Sequence, residues 1–131
     1  MFAAVIRSTA QGAIEATAFL DHRPLFPGHC LVIPREHVDT LGDLPGRLTA
    51  PLFDAAAAVA RALEAGLGAD GSFVAVNNRV SQSVPHLHVH VVPRRRKDGL
   101  LGFFWPRGRY ESAAAMEETR ARIAGALAAG A

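Results

Sequence analysis

The feature that most constrains the fold is a run of alternating histidines and aliphatic residues, His86-Leu87-His88-Val89-His90-Val91-Val92. Three of the six histidines of the 131-residue chain lie in this run. Successive side chains of a β-strand point to opposite faces of a sheet, whereas a helix would scatter both sets around its axis. The run therefore predicts a strand with one aliphatic face and a second face that carries His86, His88 and His90.

Three uses are compatible with three imidazoles on one strand face. Zinc is one, but alternate residues of a strand lie about 7 Å apart, and zinc needs its nitrogens about 2.0–2.1 Å away. Inert histidines are another, but buried rings carry polar nitrogens that need partners. Phosphate chemistry is the third, because neutral imidazole attacks phosphorus and protonated imidazole binds anionic oxygen. The residues favour this third use, and no metal site is predicted.

The charge of the chain is small and locally concentrated. The formal net charge is +2, and removing the run Arg94-Arg95-Arg96-Lys97 would change it to −2. A local cluster favours a polyanionic ligand at one spot, so no specific nucleic-acid partner is expected. The run could steer a polyphosphate toward the site, although such runs are usually solvated loops.

Length and composition bound the class of protein. One domain is expected over residues 1–131. Cys30 is the single cysteine, which excludes an internal disulfide and fits a reducing compartment. Residues 1–9 do not resemble a signal peptide, and no apolar run approaches the roughly 20 residues that span a bilayer. A cytoplasmic protein without a membrane partner is expected.

The remaining pattern predicts an α+β fold with helices beside an antiparallel sheet. Strands are expected at residues 2–7, 14–20, 29–33 and 72–76, with the third buried on both faces, and a turn at Gln11-Gly12. Apolar residues recur every three or four positions from Leu52 to Leu67, which predicts a helix capped by Thr49 with Pro51 in its first turn. Ser112 is expected to cap a C-terminal helix at about residues 112–129.

Three blocks of the sequence resemble the histidine-triad (HIT) family. The run from His86 matches its signature of alternating histidines, and Gln82-Ser83-Val84-Pro85 resembles the segment that precedes it. Residues 18–21 and 27–38 are similar to two further family blocks, in the same order, and the resemblance covers a core motif region at about residues 14–110. The resemblance implies the family's fold: an antiparallel meander sheet of about five strands with one main helix and a C-terminal helix.

The resemblance implies a nucleotide hydrolase that cleaves a nucleotide conjugate at its α-phosphate through a nucleotidyl-histidine intermediate. Dinucleoside polyphosphates are the first expected substrate class, because the Gln-Ser-Val-Pro-His lead-in and the basic run look like the fragile-histidine-triad-like hydrolases. An adenosine phosphoramidase is one alternative, and a nucleotide-binding regulatory module with slow turnover is another. A third histidine, in place of the glutamine of the nucleotidyl-transferase branch, favours hydrolysis over transfer.

The resemblance also implies a role for each histidine of the site. His88 matches the nucleophile, and the carbonyl that fixes its tautomer is expected near His86. His90 matches a phosphate contact, and His86 matches a supporting position. His29 matches the family's fourth histidine, on the strand that follows Pro27-Gly28.

The implied nucleotide contacts lie in three segments. Asp21 matches the acid that holds the ribose hydroxyls, because a carboxylate accepts from both at once. Asn77, Gln82 and Ser83 match phosphate-binding positions. Phe19 and Phe26 are candidates for the base pocket, although as core residues they would look the same in sequence.

The family pattern also bears on cofactors and partners. No cofactor is required by the sequence, and a divalent cation such as Mg²⁺ is expected only together with a polyphosphate substrate. The N-terminal Cys-x-x-Cys segment of zinc-binding relatives is missing. The expected ligand is a purine nucleotide or nucleotide conjugate, and a homodimer is expected across the helix at about residues 49–67 and a neighbouring strand. The Phe103-Phe104-Trp105 segment fits a dimer contact or packing better than a lid over the base.

Overall fold

A computed structural model describes residues 6–7, 16–101 and 106–130 of the chain. The chain divides into two compact units, one ending at Asp98 and the other beginning at Gly99. The expected turn at Gln11-Gly12 and the Phe103-Phe104-Trp105 segment lie outside the described residues. A single domain over the whole chain stays a prediction.

The first unit contains an antiparallel sheet and its main helix. The strands are β1 (Ile6–Arg7), β2 (Ala16–Leu20), β3 (Cys30–Pro34), β4 (Gly71–Ala75) and β5 (Val89–Arg94). A 3-10 helix (Leu41–Asp43) and α1 (Gly46–Leu67) join β3 to β4, and the second unit contains α2 (Ala113–Ala128). The sheet order is β1-β2-β3-β5-β4, so β5 lies between β3 and β4. The α+β fold class, with about five antiparallel strands, one main helix and a C-terminal helix, is confirmed.

One face of the sheet is covered by α1. Its buried residues recur every three or four positions, as predicted: Leu48, Leu52, Ala55, Ala56, Val59 and Leu63. They form one core with strand residues that point to the same side: Ala16, Ala18, Cys30, Val32, Val89 and Val91. Burial of a leucine or valine side chain contributes about 1.5–3 kcal/mol. The aliphatic side of the histidine run is therefore the core side, and the histidines belong to the other face.

The start of α1 differs from the prediction. The helix begins at Gly46, so Thr49 is not its cap and Pro51 lies in the second turn. Proline has no N–H to bond the carbonyl four residues earlier, which is why the sequence places the start close to it. The helix starts one turn sooner because Leu48 extends the apolar face and is only 3% exposed.

The predicted cap of α2 is confirmed, and a glycine closes α1. The Ser112 hydroxyl accepts a hydrogen bond from the Ala115 N–H at 3.0 Å and caps α2. Gly68 closes α1 in a left-handed conformation, with a φ of 67°, and donates its N–H to the Glu64 carbonyl. Among the described residues, no helix combines the length and the apolar character needed to cross a membrane.

The histidine run is a strand only in part. β5 begins at Val89, so His86 and His88 precede the strand that the sequence predicts to include them. The hydrogen bonds of the preceding segment explain the difference. The Leu87 N–H donates to the Val38 carbonyl instead of pairing with β3, and the Pro34 carbonyl is 3.0 Å from Nε2 of the His86 ring. The side chains still alternate, since Leu87 and Val89 are fully buried in the core.

Gly28 is a place where the backbone requires glycine. Its φ is 102°, and a Cβ there would lie 2.5 Å from a methyl group of Leu67. The Leu67 side chain is 48% exposed and can move aside, so the backbone conformation sets the main cost. We expect Gly28→Ala to lower the free energy of unfolding by about 1–2 kcal/mol, the usual cost of a left-handed L-residue.

Urea denaturation measures this difference, and Gly46→Ala is the matched control. A Cβ at Gly46 meets nothing within 4 Å, so this variant should unfold at the same urea concentration as the wild type or slightly above it. Equal stabilities of the two variants would contradict the prediction.

Candidate functional site

A cavity of about 400 Å³ lies on the side of the sheet that the histidines face. Its lining combines apolar residues with a polar rim: Phe19, Asp21, His22, Leu31, Ile33, Ser83, Val84, His86, His88 and His90. In β3, Leu31 and Ile33 line the cavity while Cys30 and Val32 are in the core. The expectation that β3 is buried on both faces is therefore wrong, because one face forms the floor of a cavity.

His88 has a defined tautomer. Its Nδ1 lies 2.7 Å from the backbone carbonyl of His86. A carbonyl oxygen only accepts, so Nδ1 carries the proton and Nε2 carries the lone pair. The side chain lines the cavity although only 9% of the residue is exposed. The arrangement presents a neutral imidazole nitrogen as a nucleophile.

Both ring nitrogens of His86 are used to hold the site together. Nε2 donates to the Pro34 carbonyl at 3.0 Å, and Nδ1 lies 3.5 Å from the Val38 N–H. The Leu87 N–H donates to the Val38 carbonyl at 2.6 Å. The His37 ring stacks on His86, with ring centroids 5.2 Å apart. His86 thus anchors the segment before β5 to the segment after β3.

His29 and His90 form a directional pair at the other end of the histidine run. The Leu25 N–H donates to Nδ1 of His29 at 3.1 Å, and Nε2 of His29 lies 2.9 Å from Nδ1 of His90. An amide only donates, so the neutral His29 ring carries its proton on Nε2 and donates it to His90. The proton of His90 then lies on Nε2. That nitrogen is buried and has no hydrogen-bond partner in the part of the chain that the structure describes.

Burial makes both members of this pair less basic. Burial lowers the pKa of His29, and the Asp21 carboxylate, with Oδ2 3.8 Å from the His29 Nε2, acts in the opposite direction. Burial also lowers the pKa of His90, His88 and His29 lower it further, and Asp21 opposes them. Because an ordinary histidine has a pKa of about 6.5, both rings are neutral at pH 7.

Asp21, His29 and His90 also resemble a set of metal ligands, because one ligand atom of each lies within 4.8 Å of the others. The Leu25 amide weighs against this interpretation. Nδ1 of His29 accepts from that amide, so a metal on Nε2 would require an imidazole without any proton. The hydrogen bond between the two rings accounts for the same proximity.

Several predicted phosphate contacts do not line the cavity. The Gln82 side chain accepts from the Arg79 N–H at 2.8 Å and donates to the Asp39 carbonyl, so its amide braces the loop. Arg79 and Ser81 adopt left-handed conformations, with φ of 69° and 59°, and turn this loop. Asn77 is exposed and also lies off the cavity lining. Of the predicted phosphate-binding loop residues, Ser83 lines the cavity.

Two other predicted residues occupy different places. Phe26 is half-buried in the loop before β3 and does not line the cavity, because that loop turns back so that the Phe26 carbonyl accepts from the His29 N–H. His29 is 4% exposed and contacts the site through His90. Phe19 lines the cavity, as a base-pocket residue would.

The cavity contains residues that sequence reasoning did not assign to the site. Leu31 could have been found, because it follows His29 at the spacing of a shared strand face. His22 directly follows Asp21 and is 74% exposed at the cavity. Val84 lies in the lead-in block, where nothing in its residue type indicated a role.

The basic run at the end of β5 does not line the cavity, and its first two side chains are held by hydrogen bonds. Arg94 forms a bidentate ion pair with Asp98, with N–O distances of 2.6 and 3.0 Å. Arg95 donates to the Leu67 carbonyl at the end of α1 at 2.7 Å. Arg94 lies four residues beyond His90, roughly 13 Å along the strand. The basic run, which was expected to steer a polyphosphate, therefore does not contact the cavity directly.

Comparison with known proteins places this site in a recognised context. The HIT domain matches residues 13–97. Bis(5'-nucleosyl)-tetraphosphatase (asymmetrical) of Schizosaccharomyces pombe is 40% identical over 86 residues, 63% of this chain and 47% of that protein. Adenosine 5'-monophosphoramidase hnt1 of the same yeast is 35% identical over 91 residues, 68% of this chain and 65% of that protein. The chain thus spans between about half and two thirds of these relatives.

A solved structure extends the similarity over nearly the whole fold. A member of the HIT family from Bacillus subtilis superposes with a TM-score of 0.79 at 26% sequence identity. The match covers 95% of this chain and 88% of that chain.

The neutral pair His29–His90 predicts a pH dependence of stability. The pKa of each ring is lower in the folded protein than in the unfolded chain, so the unfolded chain binds more protons between the two values. Stability is therefore full above the ordinary histidine pKa of about 6.5 and falls as the pH drops below it. We expect the free energy of unfolding to decrease from pH 7.5 to 5.5, by at most about 1.4 kcal/mol per pH unit for each ring.

Denaturant titrations at several pH values check this slope. His29→Asn removes one titrating ring and should flatten it. An identical slope in wild type and variant, or no slope at all in the wild type, would contradict the prediction.

Proposed function

This chain belongs to the histidine-triad (HIT) family, and we propose that it is a nucleotide hydrolase that cleaves a nucleotide conjugate at its α-phosphate. The observation that carries the proposal is His88, whose Nδ1–H is held by the His86 carbonyl so that Nε2 is a free nucleophile at the cavity. The names of the two yeast relatives, a tetraphosphatase and a phosphoramidase, support the same reaction class.

The proposed reaction has two steps. Nε2 of His88 attacks the α-phosphorus, and the bond to the leaving group breaks with its electron pair on the leaving group. The substituted ring is positively charged, and the bond from Nδ1–H to the His86 carbonyl stabilises that charge. Water then attacks the phosphorus, releases the nucleoside monophosphate and restores His88.

His90 is suited to hold the phosphate during both steps. Its Nε2–H is a buried donor without a partner among the described residues. Leaving such a donor unpaired costs about 1–3 kcal/mol, which a phosphate oxygen would recover on binding. Ser83 supplies a second donor at the same cavity. His29 acts through His90, since it sets which of that ring's nitrogens bears the proton.

The rest of the cavity suits a nucleoside. Asp21 accepts the Arg23 N–H on Oδ1 at 2.9 Å, which fixes the carboxylate at the rim, where it can accept from ribose hydroxyls. Phe19, Leu31 and Ile33 provide an apolar surface for a base.

We place dinucleoside polyphosphates first among the substrate classes, and the tetraphosphatase relative favours this choice. Phosphoramidates are second, favoured by the phosphoramidase relative. Mg²⁺ would enter with the polyphosphate, because the chain's own candidate ligands are engaged in hydrogen bonds.

We also propose a cytoplasmic homodimer built on β4 and α1. β4 ends the strand order of the described sheet, and an edge strand can pair with another strand through its backbone. Val74 on β4 is 46% exposed and Phe53 on α1 is 37% exposed, which leaves apolar surface on both elements.

Val74→Asp tests the homodimer. A charge on the edge strand should prevent strand pairing and release single chains, which sedimentation velocity would detect as a fall in mass by half. A wild-type protein that sediments as one chain at micromolar concentration would refute the dimer.

His88→Asn tests the hydrolase. We expect wild-type turnover in a screen of diadenosine polyphosphates and adenosine phosphoramidates, and a loss of kcat of at least about 10³-fold in the variant. Mass spectrometry of the wild type after a rapid denaturing quench should find an adenylyl group on His88.

His86→Phe is the matched variant for this experiment. It keeps the backbone carbonyl that orients His88 and removes the two ring hydrogen bonds, so it should reduce kcat much less. Equal losses in both variants would contradict the role of His88. A wild type that binds adenosine monophosphate and hydrolyses neither substrate class would instead be a nucleotide-binding module.

A further inference from the structure

The hydrogen bonds behind the cavity form a chain in which each donor and acceptor is fixed. It runs from the Leu25 amide to His29 and from His29 to His90. The amide can donate but not accept, so a proton on Nδ1 of His29 would face another donor. A proton on Nδ1 of His90 would in turn face the Nε2–H of His29. Each ring therefore has one place for a proton, and that place is already filled.

The groups around His90 also oppose an added proton. His88 packs against it edge-on with ring centroids 5.0 Å apart, and the His29 centroid lies 5.2 Å away. Asp21 is the acid on this side, and it lies 3.8 Å from His29, the ring behind His90. The balance of burial, two imidazoles and one carboxylate leaves the pKa of His90 lowered.

We propose that the Leu25 amide, acting through His29, holds His90 as a neutral hydrogen-bond donor that is not a proton source. The site then selects conjugates whose leaving group departs as a stable anion. Nucleoside polyphosphates and other anhydrides of strong acids belong to this class, and phosphoramidates of basic amines do not. The selection rests on the proposed hydrolase function and decides between its two substrate classes.

The electron and proton balance gives the physical reason. In either substrate Nε2 of His88 forms a bond to the α-phosphorus as the P–O or P–N bond breaks. A polyphosphate leaves with the P–O electron pair as a stable anion and needs no proton. An amine is too basic to leave as an amide anion, so its nitrogen must take up one proton. His90 keeps its proton, and solvent must supply the one that the amine needs.

Matched pH profiles test the selection. We expect kcat/KM for diadenosine tetraphosphate to stay within about threefold between pH 7 and pH 8.5, and kcat/KM for adenosine 5'-phosphoramidate to rise about tenfold for each unit that the pH falls. A phosphoramidate profile as flat as the tetraphosphate profile would overturn the inference. Failure to hydrolyse either substrate would refute the proposed function, and the inference with it.

Leu25→Pro removes the amide donor, and Leu25→Ala is the control that keeps it. Leu25 is 57% exposed and does not line the cavity. Without the amide, Nδ1 of His29 can bear the proton, and Nε2 of His29 can then accept from Nδ1 of His90. Nε2 of His90 is left with a lone pair that can take up a proton. The phosphoramidate profile of Leu25→Pro should flatten while that of Leu25→Ala follows the wild type. Identical profiles in the two variants would overturn the role of the amide.

Nitrogen-15 NMR of the histidine-labelled wild type tests the same hydrogen bonds without a substitution. Ring nitrogen shifts distinguish protonated from unprotonated nitrogens. We expect His29 and His90 to carry their protons on Nε2 at pH 7, with Nδ1 unprotonated in both. A proton on Nδ1 of either ring would overturn the inference even if Leu25→Pro does not fold.

Discussion

The ladder between β3 and β5 ends at the pair Val32–Val89, because the next amide, that of Leu87, donates to the Val38 carbonyl, and the geometry of the site depends on that end. The chain that leads into β5 is released from the sheet, and the His86 ring bonds the Pro34 carbonyl in place of a backbone amide. The His86 carbonyl accepts from His88. The segment that precedes β5 thus supplies the backbone carbonyl that fixes the tautomer of His88.

The alternation of histidine and aliphatic side chains from residue 86 onward supplies both the core and the cavity. Leu87, Val89 and Val91 are fully buried under α1, and the alternating histidines line the cavity on the other face. A shift of register by one residue would put imidazoles into the core and aliphatic side chains into the cavity. Folding therefore selects the same register that the chemistry needs.

The fold and the histidine face were predictable because they rest on periodicity within the chain. The alternation at residues 86–92 indicated the two faces correctly, and the helical spacing after Leu52 indicated the core side of α1. The ends of β5 and α1 were not predictable in the same way. They depend on the distant Pro34 carbonyl and on the space available for Leu48, which only the assembled structure reveals.

The loop contacts were harder to predict for a related reason. Gln82 stands in a block that resembles a phosphate-binding segment, yet its amide braces a turn made by left-handed Arg79 and Ser81. A residue type states which hydrogen bonds a side chain can form, and the backbone conformation decides whether they reach a ligand or the loop itself. The side of the sheet that the three histidines face was predictable from the sequence, because they lie in β5 or directly before it.

Three chemically identical rings are made different by their partners. His88 donates to a carbonyl and turns its lone pair to the cavity, and His86 uses both nitrogens on the backbone. His90 accepts from His29 and has an N–H without a partner among the described residues. Each assignment traces to a backbone group that can only donate or only accept, such as the amide of Leu25. Those backbone groups are set by the fold, so the division of tasks among the rings is complete before any ligand binds.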